Sequence, residues 1–283
     1  MSNDLDIAKC FEFAKELTLQ AGKLLECHFK NEKIVYGKGK WDYVTNYDHK
    51  IEKLFIDGIS NRFPDHKIIA EETASVMEKM PELTDTPTWF LDPIDGTVNF
   101  MHLFPQFCIS LALTVCKEIV LGIIYNPSNS ELYTAIKGKG AFLNGSPIHT
   151  SEVTELRNAM IMLETSVIKF KSKDTDIHKA RMEVLIETAQ ITRNVGSAAL
   201  SLAYIARGIA DCFHLEHIKA WDVAAGTLIL REAGGTILET KGNAYDIMNP
   251  KTVAASNESL AREISKLIVD TDLKTLRKRL KRT

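Results

Sequence analysis

The stretch Trp89-Phe90-Leu91-Asp92-Pro93-Ile94-Asp95-Gly96-Thr97-Val98-Asn99-Phe100 restricts what this chain can fold into more than any other dozen residues. Its apolar start suits a buried strand, and Pro-x-Asp-Gly suits a tight turn that stops the strand. Asp92 and Asp95 would then stand at the strand's carboxyl end, where α/β sheets usually bind ligands.

The rest of the chain supplies elements to surround such a strand. Residues 7 to 29 place Ile7, Cys10, Phe11, Ala14, Leu17, Ala21, Leu24, Leu25 and Phe29 at helical intervals, which predicts an amphipathic helix. After a Lys38-Gly39-Lys40 loop, residues 48 to 62 repeat the pattern and Pro64-Asp65 ends it. Short β-like runs follow at 67–70, 88–91, 109–115, 119–125, 132–136 and 141–143, separated by turns such as Asn126-Pro127 and Asn144-Gly145, so a meandering sheet is expected. Beyond about residue 155, strands near 159–163, 209–215 and 236–239 mix with helices near 178–190, 197–207 and 222–233, an alternating α/β half. Residues 1–265 therefore read as a catalytic-size unit of two subdomains, about 1–150 and 151–265. Residues 266–283 read as a basic C-terminal helix or tail. The last ten residues hold six Lys or Arg, a pattern that suits a solvated helix end better than an RNA or protein contact.

Charge limits the partners. With 35 basic against 37 acidic residues, the net charge of −2 provides no broad field for nucleic acid or an anionic membrane. No uncharged apolar run approaches the ~18 residues that span a bilayer, so a cytoplasmic protein is expected. Cys10, Cys27, Cys108, Cys116 and Cys212 are odd in number and scattered, which suits buried thiols of a reduced compartment.

Four acidic clusters carry the chemistry: Glu71-Glu72 after the run 68–70, Asp92 with Asp95, Asp48, and Asp222 in Trp221-Asp222-Val223-Ala224-Ala225-Gly226. Carboxylates meeting in one cleft repel unless cations intervene, so convergence implies metal. All these donors are oxygens, which points to magnesium rather than zinc or copper. The Ile94 carbonyl lies between Asp92 and Asp95 and can join them, and two ions ~3.5–4 Å apart would fit the pair. Gly96-Thr97 offers close backbone approach and a hydroxyl to phosphate oxygens. Taken alone, Asp-Pro-x-Asp-Gly is also a common surface turn. His102, His214 and His217 show no partner pattern that suggests a triad.

In this order the segments resemble the inositol monophosphatase family. Residues 91–100 look like its first signature, and Trp221 to Gly226 with Glu232-Ala233-Gly234-Gly235 look like its second. Asp42-Tyr43-Val44-Thr45 with Asp48, Ala70-Glu71-Glu72-Thr73, Gly138-Lys139-Gly140-Ala141-Phe142 with Asn144-Gly145, and Val195-Gly196-Ser197-Ala198-Ala199 also fall in family order, and the resemblance covers residues 7 to 265. It implies a layered αβαβα sandwich of the α+β class and a homodimer. It also implies magnesium-dependent, lithium-sensitive hydrolysis of phosphate monoesters by metal-activated water, with two or three ions.

Carried over residue by residue, Glu71 and Asp92 with the Ile94 carbonyl would hold one ion, and Asp92, Asp95 and Asp222 a second. A weaker third would lean on Glu71. Gly96 and Thr97 would grip phosphate, Asp48 would pair with the Thr97 hydroxyl to activate water, and Glu71 would orient that water. Substrate contacts would come from Ala198, Asp222 and the basic loop residue Lys38, with Lys40 its competitor. Animal members carry an acidic residue seven positions before the second-signature Asp; here that position is Leu215, and either a one-residue loop deletion gives its role to Glu216 or the sugar pocket differs. Asn99-Phe100 after Gly-Thr-Val favours the inositol monophosphatase branch, with an inositol 1-phosphate type of substrate, over the nucleotide branch; a related phosphatase acting on fructose 1,6-bisphosphate, a 3′-phosphorylated adenine nucleotide or NADP is the alternative. A regulatory RNA- or protein-binding pseudoenzyme is the reading from another class, and the intact acidic set argues against it.

Overall fold

Two side-chain caps start the N-terminal helices. Asp6 accepts from Lys9 N at 3.1 Å and opens α1 (Ile7–His28). Further on come β1 (Val35–Gly39), β2 (Asp42–Thr45) and α2 (Asn46–Arg62). The Thr45 hydroxyl accepts from Tyr47 N at 3.1 Å while Asp48 Oδ2 accepts from Thr45 N at 2.7 Å, so the two residues close both ends of a capping box. The computed structural model describes residues 5–39, 42–169 and 174–281. The loop expected around Lys38 is instead an antiparallel hairpin of β1 with β2, irregular between Gly37 and Gly39.

The next elements are β3 (Lys67–Ala70), α3 (Glu71–Ser75), β4 (Thr88–Asp95), α4 (Thr97–Met101), β5 (Cys108–Val115), β6 (Glu118–Asn126), β7 (Glu131–Ile136), β8 (Ala141–Leu143) and β9 (Ser146–Pro147). These seven strands form one sheet in chain order, parallel between β3 and β4 and antiparallel beyond, the meander expected. One expectation needs correction. Pairing of β4 with β5 does not stop at Leu91 but continues to Asp95 opposite Cys108, with a register shift between Asp92 and Asp95. Pro93 therefore sits in an irregularity, the place a sheet tolerates a residue without an N–H.

The second half contains β10 (Met160–Leu163), α5 (Thr175–Thr188), β11 (Ile191–Arg193), α6 (Ala198–Ala206), β12 (Cys212–Leu215), α7 (Ala220–Glu232), β13 (Thr236–Glu239), β14 (Thr252–Ala255) and α8 (Glu258–Leu280). Its five strands run in the order β11-β10-β12-β14-β13, parallel from β11 through β12 and antiparallel beyond.

Side-chain alternation turns these pieces into layers. Trp89, Leu91, Ile109, Leu111, Leu121 and Ile123 face α1 and α2, whereas Phe90, Ala112 and Ile124 on the other face join the core of α6 and α7. Phe213, Leu215 and Ala254 meet those same helices from the second sheet, while Ile161, Cys212, Val253 and Ala255 face α5 and α8. The result is the αβαβα order of layers. Helix α8 passes residue 265 without a break, burying Leu260, Ala261, Ile264 and Ile268. Its basic end is partly used, since Arg279 pairs with Asp174 and Asp176. Cys27 and Cys116 are exposed, contrary to the expectation of buried thiols, while Cys10, Cys108 and Cys212 are buried. Among the described residues, no helix is long and apolar enough to cross a membrane.

Contact between α7 and the larger sheet depends on Gly122. A Cβ there would lie 2.7 Å from the Ala225 carbonyl oxygen, which is backbone and cannot swing away. Gly122→Ala is expected to cost about 1–3 kcal/mol, read as a lower urea midpoint with an unchanged slope.

Candidate active site

Helix α7 carries Asp222 in its first turn, where Asp222 Oδ2 accepts from Lys219 N at 2.6 Å. Because α7 packs under β4, that turn arrives at the strand end holding Asp92 and Asp95. Glu71 opens α3 directly after β3, the parallel neighbour of β4, so both strands end at the same edge. Glu52 from α2 fixes α3 in place, its carboxylate accepting from Glu72 N at 2.7 Å and Thr73 N at 2.8 Å. Asp92 thus comes within hydrogen-bonding reach of both the Glu71 and Asp222 carboxyls.

Such crowding should raise carboxyl pKa values. Burial, followed by the charges of Glu71, Asp95 and Asp222, holds Asp92 well above its ordinary value. Asp222 is raised by burial and then by the charges of Asp95 and Glu71. Asp95 is pushed to about 6 by burial, against the opposing pull of bonds from the Ser197 hydroxyl and Ala199 N–H, both at 2.7 Å. Those two donors both engage Oδ2, which orients Asp95.

Gly96 makes the turn out of β4. Its φ of 90° favours glycine, and a Cβ would stand 2.9 Å from the Gln106 carbonyl oxygen. Thr97 follows as the first residue of α4, its hydroxyl 3.0 Å from the Ile94 carbonyl and 3.2 Å from Asp48 Oδ1. Asp48 is buried and raised to about 6, chiefly by desolvation, with its bonds from Thr45 opposing. Asn99 Nδ2 donates to the Gln106 and Val195 carbonyls at 2.6 and 2.8 Å, tying α4 to the loop before α6. The cleft so formed holds about 810 Å³ and is lined by Glu71, Asp95, Gly96, Thr97, Ala198 and Asp222, among others. No Lys or Arg occurs among the described residues lining it.

The sequence pattern of the Inositol monophosphatase family matches residues 6–272. The chain belongs to this family. Rat inositol monophosphatase 2 is 38% identical over 89% of the chain and 87% of its own length, and tomato inositol monophosphatase 3 is 39% identical over 92% and 96%. The crystal structure of extragenic suppressor protein suhB from Bartonella henselae superposes with a TM-score of 0.82 at 31% identity, covering 91% of this chain and 97% of that one. Membership of the inositol monophosphatase family makes the chain a phosphoric monoester hydrolase.

Of the residues singled out from sequence, Glu71, Asp95, Gly96, Thr97, Ala198 and Asp222 line the cleft, while Asp48, Asp92 and Ile94 are buried beside it, Asp48 and the Ile94 carbonyl against the Thr97 hydroxyl. Glu216 is placed elsewhere. It lies outside the cleft lining, with Oε2 2.9 Å from Arg181 and Oε1 accepting from the Thr240 hydroxyl at 2.8 Å, while Leu215 faces the cleft. The short β12–α7 connection turns Glu216 toward α5. The Lys38 side chain and Lys40 lie outside the described residues. His102 lines the cleft, whereas His214 is buried with Nδ1 2.9 Å from the Thr252 carbonyl and is lowered to about 4 by burial.

Ser197 and Glu52 are positioning residues that motif reading passed over. Ser197 lies in Val195-Gly196-Ser197-Ala198-Ala199, and a Ser immediately before an apolar helix is a capping signal; it caps α6 through Leu200 N at 3.1 Å. Ser197→Ala is expected to cost about 1 kcal/mol of stability for the lost cap. Turnover should fall by roughly tenfold or more as Asp95 loses an orienting donor. Urea unfolding and initial rates measured on one preparation check both.

Proposed function

We propose that the chain hydrolyses a phosphate monoester of a small polyol or sugar, of the inositol 1-phosphate type, with magnesium held by Glu71, Asp92, Asp95, Asp222 and the Ile94 carbonyl. One observation carries this reading: buried carboxyls meet in a cleft with no Lys or Arg among its described lining residues. Mutual repulsion of that kind calls for bound cations, and an all-oxygen donor set fits a hard divalent ion. The reading takes two ions, with a third leaning on Glu71, and includes inhibition by lithium.

When bound, magnesium supplies positive charge at the phosphoryl oxygens and makes a coordinated water more acidic. The side chains then divide the remaining work. N–H groups at Gly96 and Thr97, at the start of α4, face phosphate oxygens. Glu71 orients the attacking water, and the Thr97 hydroxyl, 3.2 Å from Asp48, relays its proton toward that carboxylate. A basic Asp48 suits this, because burial makes it a better proton acceptor than an exposed aspartate. Asp95 and Asp222 hold the leaving-group side. Substrate hydroxyls would meet Glu164, Ser166 and Asn194 at the rim, with Leu215 and Ile218 as an apolar edge.

A homodimer and a cytoplasmic location belong to the same reading, and exposed Ile34, Val35, Tyr36, Leu103 and Phe104 leave apolar surface for the former. A phosphate-release panel of inositol 1-phosphate, fructose 1,6-bisphosphate, 3′-phosphoadenosine phosphate and NADP tests the substrate. Highest kcat/KM on inositol 1-phosphate is expected; no release from any of the four would end the enzymatic reading.

A further inference from the structure

Away from the carboxylate cleft, a second group of ligating side chains meets between α5 and the chain leaving β12. His178 lies on α5, and Glu216 and His217 follow β12. His178 Nε2 and His217 Nε2 are 3.2 Å apart, and one ligating atom from each of the three residues lies within 4.8 Å of the others. We propose that these residues form a binding site for a zinc-class divalent cation, separate from the magnesium site.

The spacing of the two rings is that of a shared metal. Two nitrogens bound tetrahedrally at about 2.0–2.1 Å from zinc stand roughly 3.3 Å apart. Without an ion, one ring must donate to the other through a single proton, and with one both lone pairs point inward. Glu216 completes the set. Its two oxygens already accept from Thr240 and face Arg181, but a carboxylate has about four acceptor positions and can still turn one toward the rings. The carboxylate would need to move by roughly an ångström or two to reach the tetrahedral distance.

Arg181 is the charge that could exclude a cation. It is held by two carboxylates, Glu216 at 2.9 Å and Asp272 at 2.6 Å, so the immediate surroundings are not positive overall. Imidazole nitrogens select zinc and its neighbours over magnesium, which prefers oxygen and gives up water reluctantly. The site opens on a small pocket that shares Leu163, Glu164 and Leu215 with the cleft. An ion there would fasten α5 to the connection that leads into α7 and Asp222.

Equilibrium dialysis of the full chain against zinc, with magnesium in large excess, tests the site. One zinc ion per chain is expected to remain bound. His178→Ala and His217→Ala should each weaken that binding by at least about 100-fold, whereas Asp92→Asn should leave it unchanged. Unaltered zinc affinity in both histidine variants, or its loss in Asp92→Asn, would overturn the proposal and place the ion in the cleft. X-ray absorption of the zinc-loaded wild-type chain needs no variant to fold. A shell containing two imidazoles supports the site, and an all-oxygen shell refutes it.

Discussion

Asp92→Asn should lower kcat by at least about 10³-fold, on the order of 4 kcal/mol of transition-state stabilisation, while the chain still folds. Asp92 stands between Glu71 and Asp222, so the substitution removes a charge that both proposed ions use. Asparagine has the same shape, and its carbonyl oxygen can keep the 3.0 Å bond from Ile94 N. Relief of repulsion should make the metal-free variant more stable than metal-free wild type, because one buried like charge is gone. Initial rates and urea unfolding in EDTA measure both effects. Turnover within tenfold of wild type would remove Asp92 from the metal assignment.

The stability of the chain without divalent cations should depend on pH in a direction opposite to that of most folded proteins. Asp95 and Asp48 are raised to about 6, and Asp92 and Asp222 well above their ordinary value, with burial as the leading cause in each. Between an unfolded carboxyl pKa of about 4 and these raised values, the native state binds more protons than the unfolded state. Stability therefore falls as pH rises through that window. A shift of about two units in one buried group corresponds to about 3 kcal/mol. In EDTA the chain should be several kcal/mol more stable at pH 5 than at pH 8, and magnesium should recover most of the loss at pH 8. Parallel urea titrations at the two pH values, with and without magnesium, decide it. Identical stability at both pH values in EDTA would mean that the carboxyls do not crowd one another.

Much of this arrangement is legible in the sequence because local chemistry and tertiary position agree. The amphipathic spacing of residues 7–28 and the alternation along β5 and β6 report the faces that become buried. Asp95 ends a strand, and Asp48 and Asp222 lie in the first turn of a helix, so their approach to one cleft can be expected from element order. What sequence hides is short, non-local or both. β14 reads Thr-Val-Ala-Ala, too small and too brief to signal a strand, and becomes one by pairing with β12 and β13. The hairpin of β1 and β2 contains glycines at 37 and 39, which look like a loop. Pairing with β5 carries β4 past Pro93, against the local turn signal. The ion pair of Glu216 with Arg181, a partner far away in sequence, is equally invisible to motif spacing.

Phosphate release from inositol 1-phosphate by EDTA-stripped wild-type protein, followed as magnesium is added back, tests the central claim most directly. The shared carboxylate cleft predicts essentially no release without magnesium, a saturable rise as it is restored, and inhibition of the restored rate by lithium. Release that is unaffected by stripping and restoring magnesium would contradict it.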